Sequence, residues 1–257
     1  SLETGALFAL AGVAVLALLR YEPRRADPLI ELRFFHSVPF SAATVIAVCA
    51  FGAFAGFLFL NTLYLQDVRQ LSALQAGLFL LPMAVLTALL APISGRMVGS
   101  RGPRLPLFIA GVAMCAGGLA LTGLGRTTGY GWLIMTYMLF AVGFGMVNAP
   151  VTNTAVSGMP RSQAGVAAAV ASTSRQVGAA LGVAIIGSVI NTGSHGAMAS
   201  DLVSASRPGW WIITGAGACV LVLGVASTSR RAERSADRTA RLFATEPAAE
   251  PAVLSTP

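Results

Sequence analysis

The chain has 257 residues, of which 55% are hydrophobic and only 11% carry a charged side chain. Soluble domains carry about 25% charged residues, so this composition excludes an ordinary soluble fold. The net charge is +7, and all seventeen basic residues are arginines, without a single lysine. These arginines lie between long apolar runs, which favours a membrane topology signal over nucleic-acid binding.

Seven apolar runs have the length of membrane-crossing helices, which need about 20 residues, although the first run is short. The predicted segments are residues 5–19, 39–65, 72–95, 105–125, 130–157, 164–190 and 209–227. Their connections are short, so we expect successive helices to be antiparallel. The chain begins without methionine or a basic leader and is expected to be the middle of a longer gene.

Arginines are distributed unequally between the two sets of loops. One set carries thirteen of them, whereas the other carries only Arg69, Arg126 and Arg207. Because positively charged loops stay in the cytoplasm, we predict a cytoplasmic carboxy terminus in a multi-pass protein of the bacterial inner membrane.

Local signals agree with these segment limits. Ser72 and Gln75 have the spacing of a capping box at the start of the third segment. Pro208 is predicted to interrupt the chain before the seventh segment, and Trp210 and Trp211 then fall where aromatic rings favour the membrane interface.

The tail after the seventh segment is basic between residues 230 and 241, with Glu233 and Asp237 interleaved. This pattern is typical of a solvated flank that stops translocation, with contact to anionic lipid as the alternative. After Phe243 the tail is rich in alanine, proline and glutamate and is predicted to be disordered.

A short internal repeat links two segments. The tripeptide Gln-Ala-Gly at 75–77 lies at the start of the third segment, and the same tripeptide at 163–165 lies at the start of the sixth. These two helices run in opposite directions, so the second to fourth and fifth to seventh segments are predicted to be inverted copies. Many secondary transporters are built from such repeats.

Three stretches carry a family resemblance: LYLQ at 63–66 with AGL at 76–78 and LP at 81–82, GFGMVNAP at 143–150, and RQVGAALG at 175–182. They resemble the carboxy-terminal half of the fourteen-helix drug:proton antiporters of the major facilitator superfamily. The resemblance implies an all-α membrane protein: a linker helix and loop (1–38), a six-helix domain of two inverted three-helix repeats (39–229), and a cytoplasmic tail (230–257).

Residues 95–104 resemble the superfamily loop Gly-x-x-x-Asp-Arg-x-Gly-x-Arg. Gly99 stands where the loop has aspartate and Ser100 where it has arginine. A tight basic turn is the alternative interpretation. The residues assigned to a conformational loop are Gly95, Arg96, Gly102 and Arg104.

Arg175 lies near the middle of the sixth segment. A central arginine costs about 2.5–3.5 kcal/mol on insertion scales, and the nine Val, Leu and Ile residues of this segment offset about 3–5 kcal/mol. No segment interior contains Asp or Glu. Arg175 is therefore expected to face water, backbone carbonyls or the missing half of the transporter, or to be an interhelical clamp.

The fifth segment is polar and contains a proline. Asn148 and Thr152 share a helix face because they are four residues apart, whereas Asn153 points elsewhere. Pro150 has no amide proton, so the carbonyl of Met146 loses its helical partner. A cavity-lining helix and hydrogen-bonded helix packing are both consistent with this pattern.

Aromatic residues of the second segment fall roughly along one face, which suits flat, apolar or cationic ligands, or simply core or lipid contact. The predicted substrate path comprises Phe54, Phe57, Asn61, Tyr64, Asn148, Thr152, Asn153, Arg175 and Gln176. The predicted helix kinks are Pro82, Pro92 and Pro150.

The function that the resemblance implies is proton-coupled export of small hydrophobic or cationic compounds by alternating access. The expected partners are the missing amino-terminal half, the substrate, protons and membrane lipid. No catalytic residue, metal, cofactor or nucleic-acid partner is predicted, since the segment interiors contain no catalytic base. A seven-helix receptor is the alternative, while a retinal pump is excluded because it needs a lysine.

Overall fold

The computed structural model describes residues 32–157, 163–193 and 199–229, and also residues 10, 12–13, 16–17, 20–21, 232, 234–236 and 238–239. Six helices in these ranges are long and apolar enough to cross a membrane. They are α1 (Val38–Leu63), α2 (Ala73–Arg101), α3 (Arg104–Thr122), α4 (Tyr130–Val156), α5 (Ala164–Gly193) and α6 (Ala199–Ser227).

These helices correspond to the second to seventh predicted segments. A 3-10 helix at Leu32–His36 precedes α1, and a π-helical turn at Tyr64–Val68 follows it. Most of the first predicted segment lies outside the described residues, while its described positions are helical and exposed.

Helix packing follows the predicted inverted repeat. The most extensive contacts join α1 to α5, α4 to α2, and α3 to α6, followed by α3 to α4 and α1 to α6. Exchanging α1 with α4, α2 with α5 and α3 with α6 reproduces the same set of contacts. The fold is therefore built from two inverted three-helix units, as predicted.

Arg69 connects two loops at one end of the bundle. We call the end where α1, α3 and α5 begin the basic end, and the opposite end the far end. At the far end, Arg69 donates hydrogen bonds to the carbonyls of Arg126 (2.9 Å) and Thr128 (2.8 Å). The guanidinium also lies 4.4 Å from the centre of the Tyr130 ring. Arg69 thereby joins the α1–α2 turn to the α3–α4 loop.

The predicted capping box is present at the start of α2. The Ser72 hydroxyl accepts a hydrogen bond from the Gln75 amide (3.3 Å), and the Gln75 side chain accepts one from the Ser72 amide (3.0 Å). Two orphan amides at the helix start are satisfied in this way.

Helix α2 continues beyond the predicted limit at residue 95. It ends at Arg101, so Gly95 and Arg96 are helical and only Gly102 and Pro103 separate α2 from α3. The helix stops there because the residue before a proline is disfavoured in the α region. Gly102 instead adopts φ +79°, a conformation that glycine tolerates.

The predicted interruption at Pro208 is wrong. Helix α6 begins at Ala199 and passes through Pro208, because membrane helices tolerate proline where neighbouring groups satisfy the freed backbone. Trp210 is buried inside the bundle, where it is 1% exposed and packs edge-on against Phe57, whereas Trp211 is 58% exposed.

Candidate functional site: Arg175 between α4 and α5

An aromatic seam joins α1 to α4. Phe54 stacks on Phe144 with ring centres 3.9 Å apart and an interplanar angle of 5°. About one helical turn further towards the far end, Phe57 stacks on Phe140 with ring centres 4.4 Å apart. Phe51 meets the same Phe144 ring edge-on at 5.1 Å. These stacked pairs fix α1 against α4 and leave Phe51 and Phe54 only partly buried.

Arg175 lies beside this seam. Its guanidinium donates a hydrogen bond from Nη2 to the Thr152 hydroxyl on α4, and it lies 5.7 Å from the centre of the Phe51 ring on α1. Among the residues that the structure describes, the buried Nε atom has no hydrogen-bond partner. Arg175 on α5 thus contacts two neighbouring helices, α4 through a hydroxyl and α1 through an aromatic face, and none of these described contacts is to a carboxylate.

Thr152 connects the arginine to the backbone of α4. Its hydroxyl donates to the carbonyl of Asn148 (3.3 Å) while it accepts from Arg175. Asn148 and Thr152 are both half-buried, whereas Asn153 is exposed. The shared face predicted for Asn148 and Thr152 is therefore the face that Arg175 contacts.

Glycines bring α5 close enough to α1 for this contact. A Cβ atom added to Gly178 would lie 2.4 Å from the carbonyl oxygen of Val48. One added to Gly182 would lie 2.1 Å from the carbonyl oxygen of Gly52. Both obstacles are backbone atoms, so only glycine permits this crossing, as in other small-residue helix pairs. The crossing sets the position of Arg175, one turn before Gly178.

Comparison with known proteins identifies the family. The family model described as Major Facilitator Superfamily matches residues 4–183, more than half of the chain. The chain belongs to the Major Facilitator Superfamily.

The relatives that this protein resembles include resistance and efflux proteins. It is 34% identical over 186 residues to the tetracenomycin C resistance and export protein of Streptomyces glaucescens, covering 72% of this chain and 35% of the relative. It is 28% identical over 190 residues to multidrug resistance protein Stp of Mycobacterium tuberculosis (74% and 35%). It is 29% identical over 185 residues to drug efflux pump JefA of the same species (72% and 36%). The chain spans about a third of the length of these relatives.

Three residues that were predicted to line the substrate path lie in the interior of the helix bundle. Phe57 and Asn61 are both fully buried, and the Asn61 amide donates to the Phe57 carbonyl (2.9 Å). Tyr64 is 4% exposed and donates its hydroxyl to the carbonyl of Gly125 at the far end (2.7 Å). These three residues share a face with Phe54, as predicted, but that face packs against α4 and the α3–α4 loop.

The remaining predicted residues are spread over four helices, α2 to α5. Gln176 is exposed on α5, next to Arg175. Pro82 and Pro92 lie within α2, and Pro150 lies within α4. Arg96 and Arg104 are exposed at the basic end, and more than 70 positions in the sequence separate them from Arg175.

Two residues that take part in the site were not predicted. Phe51 is three residues before Phe54 and so continues its helical face, a spacing that could have identified it. Phe144 lies in the GFGMVNAP stretch, whose pattern does not indicate a ring partner.

The arrangement brings together groups that can bind a small molecule. Within the described ranges, no group of three or more His, Cys, Asp or Glu side chains lies together to hold a metal ion. The contact set offers a fixed positive charge, a hydroxyl, an amide and flat aromatic surfaces. Such a set can orient a small aromatic or polar compound.

Proposed function

We propose that this chain is the carboxy-terminal half of an exporter of small hydrophobic or cationic compounds, driven by proton entry through alternating access. The observation that supports this most directly is the Arg175–Thr152 contact beside Phe51. An arginine within a membrane segment costs free energy and marks a functional site by default. The names of the relatives, which include export and efflux proteins, point to the same function.

A missing amino-terminal half accounts for the exposed helix faces. Helices α2 and α5, which exchange places in the inverted repeat, are the least buried of the six. On α2 the exposed apolar side chains form one continuous stripe: Leu74, Leu78, Leu81, Val85, Leu89 and Ile93. We propose that α2 and α5 contact the other half of the transporter, and that α1 and α4 line the path between the halves together with them.

Coupling to protons requires a group that binds them. The apolar segments of this chain contain no Asp or Glu, so we assign the proton-binding carboxylates to the other half. Arg175 faces that half in this arrangement and lowers the proton affinity of a nearby acid by its positive charge. The basic end is then cytoplasmic, consistent with its excess of arginine.

The test compares the chain alone with the chain joined to the amino-terminal half of the same gene. Both proteins are reconstituted into vesicles, and efflux of a fluorescent hydrophobic dye is followed after a pH gradient is imposed. We expect proton-dependent efflux only from the joined protein. Efflux by the chain alone contradicts the half-transporter assignment, and no efflux from either contradicts the export function.

A further inference from the structure

The tail after α6 has an amphipathic pattern. Arginines occur at 230, 234, 238 and 241, a spacing of three and four residues that places them on one helix face. The small residues Ala232, Ala236 and Thr239 occupy the opposite face by the same spacing. Over residues 230–241, five arginines and two acidic residues give a net charge of +3.

The structure separates these two faces in the same way. Ala232, Ala236 and Thr239 are 1%, 6% and 2% exposed, whereas Arg234 and Arg238 are exposed. The segment thus packs its small residues against the protein and turns the two described arginines outwards. It differs in this from a flank that is solvated on all sides.

Ser235 attaches this segment to the start of α1. Its hydroxyl accepts a hydrogen bond from the amide of Val38 (2.9 Å) and donates one to the carbonyl of His36 (3.2 Å). Ser37 occupies the N-cap position of α1 but makes no side-chain cap. Ser235 therefore supplies the cap from almost 200 positions further along the chain.

The attachment holds the segment at one end of the helix bundle. It begins within a few residues of Ser227, where α6 ends, and it contacts Val38, where α1 begins. Both helix ends lie at the basic end of the bundle. The segment consequently lies at the basic end, beside the ends of two helices that are long enough to cross a membrane.

We propose that Arg234 and Arg238 form a binding surface for the headgroups of anionic phospholipids. Phosphodiester groups are the anions that lie beside the ends of membrane-crossing helices, and guanidinium groups bind them through charge-assisted hydrogen bonds. An arginine near an anionic membrane surface contributes about 1 kcal/mol, so two arginines give about a 30-fold preference for anionic lipid. This surface does not depend on which compound the protein exports.

The test uses the full-length protein in vesicles of phosphatidylcholine alone or mixed with phosphatidylglycerol. Retention of phosphatidylglycerol on the purified protein is measured by native mass spectrometry. The Arg234→Gln/Arg238→Gln variant is expected to lose most of the preference for phosphatidylglycerol. The matched control, Arg126→Gln/Arg207→Gln, removes two exposed arginines at the far end and is expected to keep it.

Two outcomes overturn the proposal. One is an unchanged preference in the Arg234→Gln/Arg238→Gln variant, and the other is an equal loss in the far-end control, which indicates a general effect of net charge. Ser235→Ala tests the attachment separately, because it keeps both arginines. We expect a severalfold weaker preference and greater sensitivity to salt, while an unaffected Ser235→Ala variant shows that docking of the segment does not position the lipid surface.

Discussion

The hydroxyl of Ser94 on α2 donates a hydrogen bond of 2.8 Å to the carbonyl oxygen of Met146 on α4. This is the carbonyl that loses its helical partner because Pro150, four residues later, has no amide proton. The Ser94 side chain is fully buried. One helix thus satisfies the backbone defect of its neighbour and ties α2 to α4.

Ser94→Ala is expected to destabilise the protein by about 1 kcal/mol, because the Met146 carbonyl is then left unsatisfied in an apolar environment. Unfolding of the purified protein in mixed micelles by increasing denaturing detergent measures this change. Ser100→Ala is the matched control, since the Ser100 hydroxyl is exposed and bonds only within its own helix. Equal stability of the two variants contradicts a role for the interhelical bond.

Gly182→Ala is expected to lower the folded fraction strongly. The added methyl group would lie 2.1 Å from the Gly52 carbonyl oxygen, and overpacking of this kind costs about 1–3 kcal/mol. Gly165→Ala on the same helix has nothing within 4 Å and should be neutral or stabilising, since alanine favours helix by up to about 1 kcal/mol. Size-exclusion profiles of the two variants in detergent give the comparison.

Arg175→Ala in the full-length transporter is expected to keep its membrane level, because removing a buried charge favours insertion, and to reduce efflux. Arg175→Lys should recover little, since lysine lacks the planar fork of arginine. If Arg175 lowers the pKa of an acid in the other half, the pH of half-maximal efflux rises in the alanine variant. Arg207→Ala, at an exposed position, is the control.

Thr152 provides a second check on the same contact. Thr152→Val removes the hydroxyl that Arg175 contacts and should reduce efflux less than Arg175→Ala. The two changes together should be no worse than Arg175→Ala alone, because they remove one interaction. Strictly additive losses indicate that the two residues act independently.

Cysteine accessibility tests which helices line the proposed path. In a full-length background without Cys49, Cys115 and Cys219, cysteines at Asn148 and Thr152 should react with a water-soluble thiol reagent. A cysteine at Ile109 on α3 or at Val222 on α6 should not react, because neither helix belongs to the proposed path. This holds although Val222 is 65% exposed in this chain. The opposite labelling pattern contradicts the assignment of α4 to the path.

A reporter fused after Pro257 tests the orientation of the bundle. The arginine bias predicts activity of a cytoplasmic reporter such as a fluorescent protein, and silence of a reporter that works only in the periplasm. Periplasmic activity reverses the assignment of the basic end.

The sequence by itself determined six of the seven predicted helices, most of their limits and several local features. Apolar length alone predicted α1 to α6, and the Ser72–Gln75 spacing predicted the capping box that is present. The unsatisfied carbonyl of Met146 was also predictable, because the absence of an amide proton in Pro150 is a property of the residue itself. The Gln-Ala-Gly repeat indicated the inverted units that the packing confirms.

Only the tertiary structure decided which neighbour covers each helix face. Phe54 and Phe57 are three residues apart on α1, yet Phe57 is fully buried among Phe140, Tyr137 and Trp210 while Phe54 stays partly exposed. Ser94 and Ser235 bond to groups 52 and 197 positions away. Lipid and protein core are equally apolar, so hydropathy cannot distinguish a lipid-facing side chain from a buried one. That distinction comes from helix crossings such as Gly52 on Gly182, which arise only when the whole bundle packs.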